Sequence, residues 1–262
     1  MPDPLFDLTG QVVVITGGLG QLGRQYTGAL LDRGARVAVF DRTAPPAGRP
    51  GQLNLAVDVT SRASLRHSLA QVEEAWGAPT GLINNAALDS PPGAPAAENG
   101  PFEDYPEESW DQVMEVNAKG VFLTCQVVGG AMARAGRGAI VNVASIYGVV
   151  SPDQSLYEYR RQDGETFFKP VAYSASKSAL LNLTRYLATY WAPRGVRVNT
   201  LTLGGVFNQQ DPRFLEGYQR RVPLGRMAAE DEYNGAVVFL LSPAAAYMTG
   251  ANLVLDGGWT AW

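Results

Sequence analysis

The chain predicts an α/β fold, a doubly wound, seven-stranded parallel sheet with helices on both faces. Three observations carry that expectation. Short β-branched runs alternate with longer segments of helical apolar period along the whole chain. The strand runs are apolar at nearly every position, as in a sheet covered on both sides. Glycines crowd the first strand-to-helix turn.

In order, Gln11-Val12-Val13-Val14-Ile15-Thr16 is the first buried strand. The glycine turn leads into a helix over about residues 21–33, closed by Gly34. Residues 35–40 and 53–57 make the second and third strands. A helix over 61–76 follows, with Ser61 as its N-cap, and 81–84 is the fourth strand. Residues 88–106, rich in Pro and Gly, read as a loop, and 107–134 as one long helix or two abutting ones. The fifth strand spans 138–144, and a second long connection, 146–170, precedes a helix that carries Tyr173. A sixth strand (196–203), a variable segment, a helix (about 229–241) and a last strand (251–255) complete the chain. No repeat, low-complexity tract or linker interrupts this order, so residues 1–262 are expected to form one domain. The two long connections exceed the roughly 12–15 residues beyond which a loop is usually functional.

Composition narrows the function. At 262 residues with 46% hydrophobic and 18% charged, the chain can bury a sizeable core. A net charge of −4 without runs of one sign argues against nucleic acid or an anionic membrane surface as a partner. No apolar run reaches the roughly 18 residues of a membrane span, and Met1-Pro2-Asp3-Pro4 does not open a signal peptide. The single cysteine, Cys125, lies in an apolar segment and is expected to be a buried, inert thiol; a cytoplasmic location follows. With one cysteine and one histidine, His67 on a surface helix, no metal site is expected. A Ser-His-Asp hydrolase would have to use His67, and no nucleophile elbow lies near it.

Thr16-Gly17-Gly18-Leu19-Gly20-Gln21-Leu22-Gly23 joins the first strand to the first helix. Glycines there let a pyrophosphate approach the backbone, and the helix N-terminus offers free N–H groups and partial positive charge. Asp41, at the end of the second strand, is placed to bind the ribose hydroxyls of a dinucleotide and to repel a 2′-phosphate, which favours NAD over NADP. Arg42 beside it pulls the other way, since an arginine can accept that phosphate. Asp58, after the third strand, can reach an adenine amino group or simply head a helix. Tyr173 and Lys177 are four apart in the helix after the second long connection, so they share one face. A neighbouring cation favours the ionised phenol, and a phenol so tuned can act as general acid or base.

These motifs resemble those of the short-chain dehydrogenase/reductases over nearly the whole chain. Asn84-Asn85-Ala86-Ala87 is similar to the family's Asn-Asn-Ala-Gly, with Ala87 in place of Gly. Asn117, Ser145, Tyr173 and Lys177 fall where the family has its catalytic residues. Leu203-Gly204-Gly205-Val206-Phe207-Asn208 resembles its Pro-Gly-x-x-x-Thr segment, and Asp256-Gly257-Gly258 its near-terminal Asp-Gly-Gly. The glycine spacing departs from the pattern of members this size and resembles that of the longer sugar-nucleotide branch. The resemblance implies a Rossmann domain and hydride transfer between a nicotinamide and a carbinol or carbonyl carbon. It implies Tyr173 as acid/base, Ser145 on the substrate oxygen, Lys177 on the phenol and the nicotinamide ribose, and Asn117 holding a relay water. The cofactor would lie along Gly17, Gly20, Gln21, Leu22, Gly23, Asp41, Arg42, Asp58, Val59, Asn85, Ala86, Ala87, Val206 and Asn208, meeting Tyr173 and Lys177. It also implies a homo-oligomer, a tetramer or dimer.

The interval between Ser145 and Tyr173 is much longer than the family's, and the added segment, 151–169, is pinned to catalytic residues at both ends. Its mix of charged and aromatic residues suits a small polar substrate, with Ser145, Tyr147, Asp153, Tyr157 and Gly205 as candidate contacts; a subunit contact is the alternative. The pattern resembles members acting on sugars, sugar acids, polyols or nucleotide-linked sugars. Two other readings stay open: an NADPH-dependent reductase of 3-oxoacyl or other ketones, and a nucleotide-binding sensor without turnover.

Overall fold

β1 (Val12–Thr16) is buried at all five positions, as a β-branched run between two helical layers must be. In the computed structural model, which describes residues 3–262, it is an interior strand, third from one edge of a seven-stranded sheet. Met1 and Pro2 of the N-terminal tetrapeptide lie outside the described residues. The other strands are β2 (Arg36–Asp41), β3 (Gln52–Ala56), β4 (Gly81–Asn84), β5 (Gly138–Ser145), β6 (Val196–Leu203) and β7 (Asn252–Leu255). Their order is β3-β2-β1-β4-β5-β6-β7, and every pairing is parallel.

Because side chains alternate across a strand, the sheet feeds two cores. Val12, Val14, Phe40, Leu82 and Ile140 face α2 (Arg62–Trp76) and the helices that follow it. Val13, Ile15, Val39, Ile83 and Leu201 face α1 (Gln21–Leu31) and α9 (Asn234–Leu241). Fully burying one such side chain contributes about 1.5–3 kcal/mol, so both faces hold the sheet. Ser61 caps α2, its side chain accepting from the Ser64 N–H at 3.2 Å. The segment 107–134 is one continuous rod: α3 (Glu107–Met114), α4 (Val121–Thr124) and α5 (Gly130–Arg134) run through wider π-helical turns at Glu115–Gly120 and Cys125–Gly129. Such turns often mark functional sites, and the first contains Asn117.

The structure departs from the sequence expectation in three places. The long connection contains a short helix, α6 (Glu158–Gln162). The variable segment contains α8 (Pro212–Gln219), capped by Asp211, whose carboxylate accepts from the Arg213 N–H at 2.8 Å. The helix expected from about 229 begins only at Asn234, because Glu232 turns back to accept from the Ala229 N–H and to pair with Arg226.

The chain steps outward from β1 to β3, then returns to β4 on the other side of β1. Ligands of such sheets bind at this reversal, beyond the carboxyl ends of the strands. Here the glycine turn leaves β1 and Asn85 leaves β4 side by side: Asn85 Nδ2 donates to Gly17 O at 3.0 Å. The helix carrying Tyr173, α7 (Val171–Trp191), is locked to the sheet by a buried polar chain. Asn84 Nδ2 donates to Asn142 Oδ1, Asn142 Nδ2 to Thr184 Oγ1, and Thr200 Oγ1 to Thr184 Oγ1, each at 2.8 Å.

Gly148 lies directly under α7. A Cβ built on it would sit 2.8 Å from the Lys177 carbonyl carbon and 2.9 Å from its oxygen, against backbone that cannot swing away. Gly148→Ala is therefore expected to lower stability by about 1–3 kcal/mol in urea unfolding and to reduce turnover with it. Wild-type stability and turnover in this variant would contradict so close a packing.

Candidate active site

Two clefts meet at the reversal. The first, about 940 Å³, runs from Asp41, Arg42, Asp58 and Val59 past Gly17, Gly20 and Gln21 to Asn85, Ala86 and Ala87. The second, about 530 Å³, holds Ser145, Tyr147, Tyr157, Tyr173, Lys177, Gly205 and Val206. Leu22, Asn85 and Ala87 line both, so one elongated ligand can pass from the first into the second.

The first cleft fits a dinucleotide on its own chemistry. Gly20 is the N-cap of α1 and makes no side-chain cap bond, and the first turn carries no acid, so the helix N–H groups and dipole face the cleft uncompensated. A Cβ on Gly20 would meet nothing of the protein closer than 3.4 Å, so the backbone there is open on the cleft side. Gly17 takes the left-handed φ of +64° that its turn requires. Asp41 closes β2 with its carboxylate accepting from the Leu19 N–H (3.0 Å) and the Arg42 N–H (2.8 Å), which ties the glycine turn to the ribose end. Asp58 Oδ1 accepts from the Thr60 N–H at 2.9 Å.

In the second cleft, Ser145 at the end of β5 accepts from the Tyr147 N–H at 3.2 Å and lies near the Tyr173 phenol, where it acts to lower the phenol pKa. Lys177 is 4% exposed and donates to Val143 O at 2.8 Å. Its Nζ lies 5.8 Å from the Tyr173 ring centre. Burial, partly opposed by the Asp89 charge, lowers the Lys177 pKa to about 8. The phenol departs from expectation. Burial and then the negative charge of Asp89 push it up to about 12, against a smaller lowering by Ser145, and Lys177 is not among the causes. The protein alone thus holds the phenol neutral; positive charge brought by an oxidised nicotinamide acts in the direction that ionises it.

Three expected contacts are corrected. Asp153 lies outside the cleft: it caps the turn at Gln154–Tyr157 through the Ser155 N–H (2.8 Å) and pairs with Arg221. Asn208 is exposed and lines neither cleft, its N–H donating to Gln210 Oε1 at 2.8 Å. Gly23 packs inside the turn, where a Cβ would come within 2.2 Å of Gly17 O, and does not face the ligand. Asn117 is fully buried with its side chain committed. Nδ2 donates to Leu88 O (2.8 Å) and Ser176 Oγ (3.0 Å), and Oδ1 accepts from the Leu88 N–H (2.7 Å). That side chain has no N–H left for a relay water; it fastens the β4 loop to the Tyr173 helix. Cys125 is buried and its thiol is raised to about 12, chiefly by burial.

Sequence reasoning took both long connections as functional without singling out Asp89 and Lys169, and it missed the wall that the α8 region adds. Asp89 and Lys169 line the second cleft, with Gln210, Phe214, Tyr218 and Met227 from the α8 region. Asp211 followed by Pro212 was a readable helix start. Lys169 Nζ donates to both carboxylate oxygens of Asp89, at 2.6 Å to Oδ1, and Phe168 N donates to Asn99 O at 2.8 Å, so the two long connections strap each other across the mouth.

The family profile described as enoyl-(acyl carrier protein) reductase matches residues 20–260. The chain is similar to D-threitol dehydrogenase from Mycolicibacterium smegmatis, 34% identical over 97% of this chain and 95% of that one. Among solved structures it is similar to a short-chain dehydrogenase from Leptospira borgpetersenii with bound NAD+ (TM-score 0.87, 32% identity, 99% of this chain, 96% of that one). It is also similar to a gluconate 5-dehydrogenase from Burkholderia cenocepacia in complex with NADP and tartrate (TM-score 0.86, 27% identity, 99% and 98%).

Because Asp89 helps to raise the phenol, removing its charge lowers the Tyr173 pKa. Alcohol oxidation needs the ionised phenol, so the rate should climb with pH in the alkaline range. Asp89→Asn should move that climb to lower pH in kcat/KM profiles; an unmoved or upward-shifted limb would show that Asp89 does not act on the phenol.

Proposed function

The chain belongs to the short-chain dehydrogenase/reductase family, and from that premise we propose that it is an NAD(H)-dependent oxidoreductase interconverting a secondary alcohol and a ketone on a sugar or polyol. The observation that carries this is the meeting of Ser145, Tyr173 and Lys177 in a cleft continuous with the one ending at Asp41. The threitol and gluconate activities named for relatives support a polyhydroxylated substrate.

When bound, the nicotinamide supplies or accepts the hydride. The protein's own part is orientation and proton handling. Ser145 Oγ and Tyr173 OH hold the reacting oxygen between them and stabilise its developing charge. In oxidation the phenolate takes the carbinol proton; in reduction the phenol gives one to the new alkoxide. Lys177 is fixed by Val143 O, and its remaining N–H groups would serve the phenol and the nicotinamide ribose when the cofactor is bound. Asn117 keeps the loop after β4 at a constant distance from α7.

NAD is the preferred cofactor because the Asp41 carboxylate lines the cleft where a 2′-phosphate would have to sit. Arg42 lines it too but is exposed, so its charge is largely met by solvent. Residues 1–262 act as one domain in this reading. Phe122 on α4 and the stacked pair Tyr186 and Tyr190 on α7 are exposed large side chains on that domain's surface and support a homo-oligomer, dimer or tetramer. The lone buried thiol supports a cytoplasmic location. Among the described residues no helix is long and apolar enough to cross a membrane.

Tyr173→Phe should cut kcat by about 10²–10⁴-fold, the usual worth of a positioned acid/base, while NADH affinity by fluorescence titration stays within about twofold. Turnover near wild type would remove Tyr173 from the mechanism. NADH should bind at least about tenfold more tightly than NADPH, since like charges brought together cost several kcal/mol; the reverse order would overturn the role given to Asp41.

A further inference from the structure

The charged groups around the second cleft are nearly all matched within the protein. Arg161 binds Glu158 and the carbonyls of Gln154 and Phe167, and Arg160 binds Glu165. Arg213 bridges Asp163 and Asp211, and Arg221 pairs with Asp153. Lys177 is anchored on Val143 O. The one other lysine on the cleft wall, Lys169, is held by both oxygens of Asp89. Apart from Lys177, which the proposed mechanism commits to the phenol and the cofactor, a carboxylate or phosphate on a substrate would find no free counter-charge there, and it would face Asp89 and Asp211.

The Asp89–Lys169 pair is still able to bind something. Its ammonium has three N–H groups, two of them on Asp89, which leaves one donor. The Lys169 side chain is only 13% exposed and Asp89 59%, so the carboxylate turns its unused lone pairs toward the open mouth. Lys169 is held in place from behind, its N–H donating to Gln154 Oε1 at 2.9 Å and its carbonyl accepting from Gln154 Nε2 at 3.3 Å. Its Nζ lies 5.5 Å from the centre of the Tyr173 ring, within reach of a substrate whose reacting oxygen sits on the phenol. A donor and an acceptor side by side match a hydroxyl, which both donates and accepts.

We propose that Asp89 and Lys169 are the specificity-determining residues of the cleft, binding a hydroxyl on a carbon next to the reacting carbinol, so that the site takes a neutral vicinal polyol in preference to a sugar acid or a simple alcohol. This rests on the reading of the chain as a sugar or polyol dehydrogenase. The pair belongs to both long connections at once, Asp89 to the loop after β4 and Lys169 to the end of the segment before α7. The two insertions thus build one polar contact at the reacting end, while the other charges of the 151–169 segment pair within it and with the α8 region.

The test compares threitol, cyclohexanol and gluconate on the wild type and on Lys169→Met, Lys169→Arg and Asp89→Asn. The wild type should prefer threitol to both others. Lys169→Met should lower kcat/KM for threitol roughly 10- to 100-fold, the worth of a hydrogen bond to a charged group, mainly through KM, and change cyclohexanol by less than about threefold. Lys169→Arg should recover part of the loss. Calorimetric titration of threitol into the NADH complex should weaken in parallel, independent of turnover. Asp89→Asn leaves Lys169 uncompensated and should shift the gluconate-to-threitol ratio toward gluconate by about tenfold, as expected when a repelling charge is removed. A wild type that prefers gluconate, equal losses on threitol and cyclohexanol in Lys169→Met, or wild-type threitol kinetics in both Lys169→Met and Asp89→Asn would each overturn the proposal alone. Absence of turnover on all three by a wild type that binds NADH would sink the dehydrogenase reading and the proposal with it.

Discussion

A buried ammonium with no carboxylate beside it is the constraint on which the rest of this structure depends. Lys177 is 4% exposed, and the bond its side chain makes within the protein is to Val143 O. Burying such a charge carries a penalty of several kcal/mol, and the depressed Lys177 pKa is its direct expression. The surroundings hold the group where solvent would otherwise be preferred. Gly148 lets the connection after β5 run against the helix backbone at Lys177. The Asn84–Asn142–Thr184–Thr200 chain fixes the helix along the sheet. Asn117 and Ser176 tie the β4 loop to the same helix. A strongly perturbed lysine and a phenol sharing one cleft is the pattern expected of a working site rather than of a stabilising ion pair.

The sheet explains why the two clefts meet there. The order reversal beside β1 opens a crevice between the glycine turn and Asn85, and β5 and β6 continue it to Ser145 and Gly205. Parallel strands send all these loops to one edge. The dinucleotide end and the reacting end are therefore consequences of a single topology.

Much of this was legible in the sequence, for physical reasons. The buried strands declare themselves because both faces are covered, so alternation disappears and β-branched runs remain. The glycine turn and Asp41 are local in the chain, as are Tyr173 and Lys177, one helical turn apart. What was not legible depends on distant pairing. Asp153 and Asn208 carry suitable chemistry in suitable places, but a cap with Arg221 and a local turn claim them. The charges of the 151–169 segment looked like a substrate lid, yet they pair with one another and with α8. Asp89 and Lys169 are eighty positions apart, and only the fold brings them together. The phenol's high pKa likewise needs three-dimensional burial, and spacing alone suggested the opposite direction.

The central claim is that this cleft transfers hydride between a carbinol carbon and a nicotinamide while Tyr173 handles the proton. It is tested most directly with threitol deuterated at its carbinol carbons, incubated with the wild-type protein and NAD and followed by proton NMR of the reduced cofactor. The account predicts deuterium at nicotinamide C4. Oxidised product with the label released to water, or with unlabelled reduced cofactor, would contradict it.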